Sequence, residues 1–190
     1  MSQCQISTVA PAIGAHDSST TCTPIPGATV EIWHCDIDGD YSAYADGYTD
    51  DDDGAGTTFL RGSQVANADG IVEFHTVYPG WYAGRAVHVH AKVHIDDETV
   101  LTTQFLFDDA LNREVMATEP YAPFGEPSTT NEEDGVTGGT AEEDGLLLTV
   151  GADDAIGGRR ALIVVGLDPT ATSQGSAAGG GGPGGARPAP

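Results

Sequence analysis

His88 and His90 flank a single valine. In an extended strand, where successive side chains alternate sides, that spacing aims both imidazoles the same way with their Cα atoms ~6.5–7 Å apart, close enough to grip one metal ion. Taken alone, the pair leaves open metal ligands, surface histidines and hydrogen-bonded histidines. His94 belongs to the same face further along, either as a third ligand or as a bystander, and its distance from the pair favours the bystander.

The element that carries these residues reads clearly. From Val87 to Ile95 the chain alternates, with Val87, Val89, Ala91, Val93 and Ile95 on one face and His88, His90, Lys92 and His94 on the other. This is the pattern of a strand with one face in a core. Further strands are expected over Ala28 to Cys35, introduced by the turn Pro24-Ile25-Pro26-Gly27, and over Gly70 to Val77, after Asn67-Ala68-Asp69-Gly70. Thr99 to Phe107, Gly145 to Val150 and Ala161 to Leu167 complete the set. Short strands bounded by Gly, Asp and Pro at this spacing predict an all-β chain folded as an antiparallel β-sandwich. Ala110 to Thr118 is the one expected helix, and Gly125 to Asp144, acidic and glycine-rich, is expected as a long loop or a partly disordered segment. The length suits one domain, over residues 21–169, with an N-terminal tail at 1–20 and a Gly/Ala/Pro-rich tail at 170–190.

Two other metal sites use histidines in this way. A cupin-like site needs an acidic ligand at a fixed short interval followed by a glycine, and Glu98 does not meet that spacing. A zinc hydrolase needs a further His or carboxylate and a general base, and none stands at a persuasive distance along the chain.

The surroundings of the pair are less generic. Pro79-Gly80-Trp81-Tyr82, then Arg85, His88-Val89-His90 and Thr102-Thr103-Gln104-Phe105-Leu106-Phe107 follow in order. Upstream stand Pro24-Ile25-Pro26-Gly27-Ala28-Thr29-Val30-Glu31-Ile32-Trp33-His34-Cys35-Asp36 and Gly39-Asp40-Tyr41. This ordered set, from about Thr21 to Asp108, resembles the intradiol ring-cleavage dioxygenases, which open catechols between their hydroxyls. The resemblance implies an iron(III) cofactor held by Tyr41, Tyr82, His88 and His90, with Tyr82 the axial tyrosine; Tyr44 and Tyr48 are near alternatives to Tyr41. Two phenolates and two imidazoles suit a hard ferric ion. The resemblance further implies that Tyr82 accepts a substrate proton, that Arg85 stabilises negative charge on the ring and that Gln104 lines the pocket. Its expected partners are a catechol-type substrate and O2, and its expected assembly is a homo-oligomer. A sandwich that binds iron or a phenol without turnover is the alternative of a different class. Only five residues separate Tyr82 from His88, fewer than in well-studied members, and residues 1–20 do not resemble the family's longer N-terminal region.

Composition narrows the partners. The formal net charge is −22, from 29 acidic against 7 basic residues, and Lys92 is the single lysine. This balance argues against nucleic acid and anionic membrane as partners, because both are bound through Lys and Arg. No stretch reaches the ~20 apolar residues of a membrane-spanning helix, and no basic segment followed by an apolar one opens the chain, so a cytoplasmic location is expected. Cys4, Cys22 and Cys35 fit neither a disulfide framework nor a zinc ribbon and are expected as free buried thiols, with a Cys22–Cys35 bond as the alternative. Acidic runs such as Asp50-Asp51-Asp52-Asp53 are read as solvated surface. So much negative charge with so little lysine points to adaptation to high salt, where screening over a few ångströms removes the self-repulsion. The melting temperature is expected to be higher in molar KCl than in dilute buffer; equal values in a thermal melt would remove the salt reading.

Overall fold

The computed structural model describes residues 5–15, 23–42, 56–155 and 157–167. Two sheets face each other across one apolar core. The first has the order β4 (Arg61–Val65), β3 (Thr29–Trp33), β6 (His88–Ile95) and β7 (Glu98–Leu106), all antiparallel. The second contains β2 (Thr23–Pro24), β1 (Gln5–Ala15), β9 (Gly158–Leu167) and β8 (Thr149–Asp153) in that order, with β5 (Phe74–Val77) also paired to β1. The β1–β9 pair is parallel; every other strand pair among the described residues is antiparallel.

The period-two pattern decides which face is buried. Val89, Ala91 and Val93 of β6 join Val30 and Ile32 of β3 and Phe105 of β7 in the core, where Ala161, Ile163, Val165 and Leu167 of β9 meet them. The opposite face of the first sheet carries His88, His90, Lys92 and His94. After β7, Asp108 caps helix α1 (Asp109–Met116): its Oδ1 accepts the amides of Ala110 and Leu111 at 2.8 and 3.0 Å. Val115 and Met116 seal the end of the core, and Tyr78 donates to Asn112 of the helix at 2.6 Å. None of the described helices is long and apolar enough to cross a membrane.

Several boundaries differ from those expected. The stretch read as an N-terminal tail contains β1, whose ladder runs along β9 from Ile6 to Ala15. Proline, glycine and alanine hide its period, and its partner lies at the far end of the chain. Strand β4 was not anticipated either: Arg61-Gly62-Ser63-Gln64-Val65 has no apolar alternation because it is a half-exposed edge strand. Strands β5 and β8 begin four residues later than expected, at Phe74 and Thr149. The long segment 125–144 carries no helix or strand, as expected, but is pinned by specific bonds to the first sheet's upper end. Trp81 Nε1 donates to Gly125 O at 3.1 Å and the Gly84 amide to Thr129 Oγ1 at 3.2 Å. Cys35 is buried; Cys4, Cys22, Tyr44, Tyr48, the run Asp50–Asp53 and the 170–190 tail lie outside the described residues.

His34, one residue past β3 and 1% exposed, ties the sheets together. Its Nδ1 lies 2.7 Å from the Cys35 carbonyl oxygen and its Nε2 2.7 Å from Thr76 Oγ1 on β5. Burial lowers its pKa to about 4, against which the bond to Cys35 works only partly. The unfolded chain, with an ordinary histidine near pH 6.5, therefore takes up the proton first. The contribution is complete above about pH 6.5 and is lost as pH falls toward 4, by up to about 1.4 kcal/mol per pH unit. Denaturant unfolding of His34→Gln at several pH values is expected to show a shallower acid loss than the parent; equal slopes would mean that the buried imidazole is not among the acid-sensitive groups.

Candidate functional site

The register of the first sheet builds the floor of the site. Trp33 lies opposite both His90 and Arg61, and His90 lies opposite Gln104, so one row crosses the four strands on the face away from the core. Trp33 stacks on His90 with ring centroids 4.9 Å apart and planes inclined by 2°. Arg61 stands over the Trp33 ring at 4.8 Å, and Lys92 at 5.6 Å. This stack fixes one imidazole by packing.

The tyrosines come from two turns that nest above this floor. Asp36 folds the first: its Oδ1 accepts the amides of Asp38 and Asp40, each at 2.9 Å, which brings Tyr41 back over the sheet. The second, Pro79-Gly80-Trp81-Tyr82, lies directly against it, with the Gly80 amide donating to Asp36 O at 3.0 Å. The approach explains two glycines. A Cβ at Gly80 would come within 2.7 Å of Ile37 O, and one at Gly39, whose φ is +92°, within 2.9 Å of Trp81 O.

The four side chains converge on one point. His88 Nε2 lies 3.1 Å from Tyr41 Oη, 3.3 Å from Tyr82 Oη and 3.1 Å from His90 Nε2. His88 Nδ1 is 2.7 Å from the Ala86 carbonyl oxygen, so the proton sits on Nδ1 and Nε2 presents its lone pair. A single lone pair cannot accept from three donors at once. One cation between the four atoms can satisfy all of them, because donors ~2.1 Å from a common metal stand about 3 Å apart at right angles. The residues present therefore fit a metal ion, and their donor set is two imidazole nitrogens and two phenol oxygens.

The electrostatics agree with unprotonated imidazoles. Burial, then the Arg85 cation, lowers the pKa of His88 to about 3. Burial, then His88 and Arg85, lowers that of His90 to about 2. Burial pushes the Tyr41 hydroxyl well above the ordinary phenol value, helped by Cys35 and Tyr82 beside it. Tyr41 is 8% exposed while Tyr82 is only half-buried, so Tyr82 is the phenol nearer solvent.

Arg85 is buried beside this centre. Its Nε donates to Asp134 Oδ2 at 3.0 Å, and one Nη donates to Gln104 Oε1. All six residues singled out from the sequence, Tyr41, Tyr82, Arg85, His88, His90 and Gln104, thus meet at one end of the first sheet. His94 is a bystander: it engages Thr99 Oγ1 at 3.0 Å and approaches Glu31 at 3.9 Å. Among the described residues no group of three or more His, Cys, Asp or Glu is placed to share an ion. One participant was missed: Asp134 sits within the acidic run Glu132-Glu133-Asp134, which reads as solvated surface although Asp134 is 1% exposed. Trp33 is a packing residue by its type, and that His90 is what it packs on needs the strand register.

A family model described as dioxygenase matches residues 18–119. The chlorocatechol 1,2-dioxygenase of Rhodococcus opacus is 30% identical over 108 residues, covering 47% of this chain and 40% of the relative. The catechol 1,2-dioxygenase 1 of Acinetobacter lwoffii is 36% identical over 101 residues, covering 43% and 30%. The chain thus spans less than half the length of these curated relatives. Among solved structures, an intradiol ring-cleavage dioxygenase from Tetranychus urticae superposes with a TM-score of 0.75 at 26% identity, over 90% of this chain and 84% of the other. The fold alone is shared with catechol 1,2-dioxygenase from Acinetobacter, at a TM-score of 0.51 and 21% identity. With the family model matched over more than half of the chain and the site motifs inside the matched span, the chain belongs to the intradiol ring-cleavage dioxygenase family.

Proposed function

We propose that this chain is an iron(III)-dependent enzyme that cleaves a catechol-type aromatic diol with O2, between its two hydroxyls, to a cis,cis-muconate-type diacid. The observation that carries the reading is the convergence of Tyr41, Tyr82 and His90 within 3.1–3.3 Å of His88 Nε2. Two neutral imidazoles and two phenols are a hard, electron-rich set. As phenolates the tyrosines offset two of the three charges of a ferric ion and disfavour its reduction. When bound, the ferric ion supplies a Lewis-acidic centre that activates a catechol dianion toward O2.

The chain's own residues do the rest. Tyr41, 8% exposed and packed with Trp33 and Cys35, would serve as the anchoring phenolate. Tyr82, nearer solvent and present as a phenolate when the ion is bound, accepts one hydroxyl proton of the incoming catechol at its Oη, acting as general base, and the second proton leaves to water or hydroxide in the site. Arg85, held by Asp134 and Gln104, offers a fixed cation beside the ring carbons that carry negative charge during cleavage. The Ala86 carbonyl keeps the His88 proton on Nδ1 throughout. Both oxygen atoms of O2 end in the diacid, so the reaction needs no external reductant.

The test combines colour, metal content and oxygen uptake on protein purified in high salt. A visible tyrosinate-to-iron band that shifts when catechol is added, with O2 consumed and the diacid formed, is expected. Tyr41→Phe is expected to lose the band and bound iron; Tyr82→Phe is expected to weaken the band and lower kcat by about 10²–10⁴-fold, the usual share of a general base. Protein that takes up no iron sinks the ligand set. Coloured protein that consumes no O2 with any catechol would make the chain a binding module.

A further inference from the structure

Asp134 lies beyond the residues that the family model matches, 49 positions from Arg85. Nonetheless its carboxylate reaches the edge of the site, at Arg85 and Ala86. Oδ2 accepts Arg85 Nε at 3.0 Å and the Ala86 amide at 2.8 Å. Oδ1 accepts the amides of Val136 and Thr137 at 2.9 and 3.0 Å, so the carboxylate is locked by its own turn before it meets the sheet. Burial works against the charged form, but the Ala86 and Thr137 amides and the Arg85 cation outweigh it and hold the pKa below the ordinary carboxylate value. The group is charged, immobile and fully bonded.

Two paths run from it. Through Arg85 it fixes the plane of the guanidinium, whose Nε is on Asp134 and one of whose Nη atoms is on Gln104. Such a planar fork keeps its direction only while both edges are held. Through Ala86 it fixes an imidazole: the Ala86 amide is on Asp134, and the Ala86 carbonyl accepts the proton of His88 Nδ1 at 2.7 Å. Both paths start in the 125–144 segment, which also docks through Gly125 and Thr129.

We propose that Asp134 is a positioning residue, through which the 125–144 strap sets the aim of Arg85 and the orientation of His88 together. Its effect on turnover rests on the function proposed above; its effect on His88 does not.

The experiment compares the parent, Asp134→Asn, Arg85→Met, the double variant and Thr129→Ala, each checked for folding by thermal melt in high salt. Asparagine keeps the shape but loses the charge and turns one oxygen into a donor facing other donors. Asp134→Asn is expected to bind iron about 10–100-fold more weakly in a chelator competition, as partners behind a metal ligand do, and to lower kcat more than it raises KM. At saturating iron the double variant is expected to have a kcat no lower than that of Arg85→Met, since Asp134 acts on the ring through Arg85, while keeping the weaker iron binding of Asp134→Asn, which runs through Ala86 and His88. Thr129→Ala, which loosens the strap elsewhere, is expected to match the parent. Parental iron affinity in Asp134→Asn, an equal loss in Thr129→Ala, or kcat losses that multiply in the double variant at saturating iron would each overturn the proposal. Protein that holds iron without turnover would count against the proposed function while leaving the iron comparison decisive. If the parent takes up no iron, exchange of the His88 Nδ1 proton in the metal-free protein decides, with acceleration of at least about tenfold expected in Asp134→Asn and an unchanged rate overturning the idea. Asp134→Ser, which fits the same space, replaces the asparagine variant if that one does not fold, with the same outcomes.

Discussion

Strand β6 faces two ways, and both faces are committed. Val89, Ala91 and Val93 point into the core at 1–2% exposure, while His88 and His90 point away from it toward the tyrosines. A register slip of one residue would bury the histidines among aliphatic side chains and expose the valines. The core therefore holds the imidazoles in place: the apolar contacts that fold the sandwich also fix the pair's direction. The stack of Trp33 on His90 and the Ala86 bond to His88 then remove the remaining rotational freedom.

What the strand cannot do is supply the phenols. They come from turns that leave the sheet and return, and they meet only because Gly39 and Gly80 let two backbones touch where any Cβ would collide. The same economy of space governs the charges. Arg61, Arg85 and Lys92, three of the chain's 7 basic residues, stand on the face of the first sheet that bears the site. Two of these cations are paired, Arg61 with Glu31 and Arg85 with Asp134. A buried Arg85–Asp134 pair of this kind is a weak source of stability, because desolvating two charges offsets much of their attraction. Its value lies in direction: each partner is hydrogen-bonded on several sides and can point only one way.

The sequence by itself determined the elements whose periodicity is strong. The alternation from Val87 to Ile95 and the runs that became β3, β7 and β9 were legible because burial on one face leaves a period of two in the residue order. The His-x-His spacing followed from the same periodicity, and the ordered family motifs carried Tyr41, Tyr82, Arg85 and Gln104, which geometry then brought to one point. Tertiary structure alone decided the rest. Strand β1 owes its ladder to β9, some 150 residues away along the chain, and has no clear pattern of its own. Asp134 looks like its solvated neighbours Glu132 and Glu133, since a carboxylate carries no mark of the arginine it will meet until the chain folds back over 49 positions. Local periodicity records which face a residue turns to the core; it does not record which distant partner is waiting there.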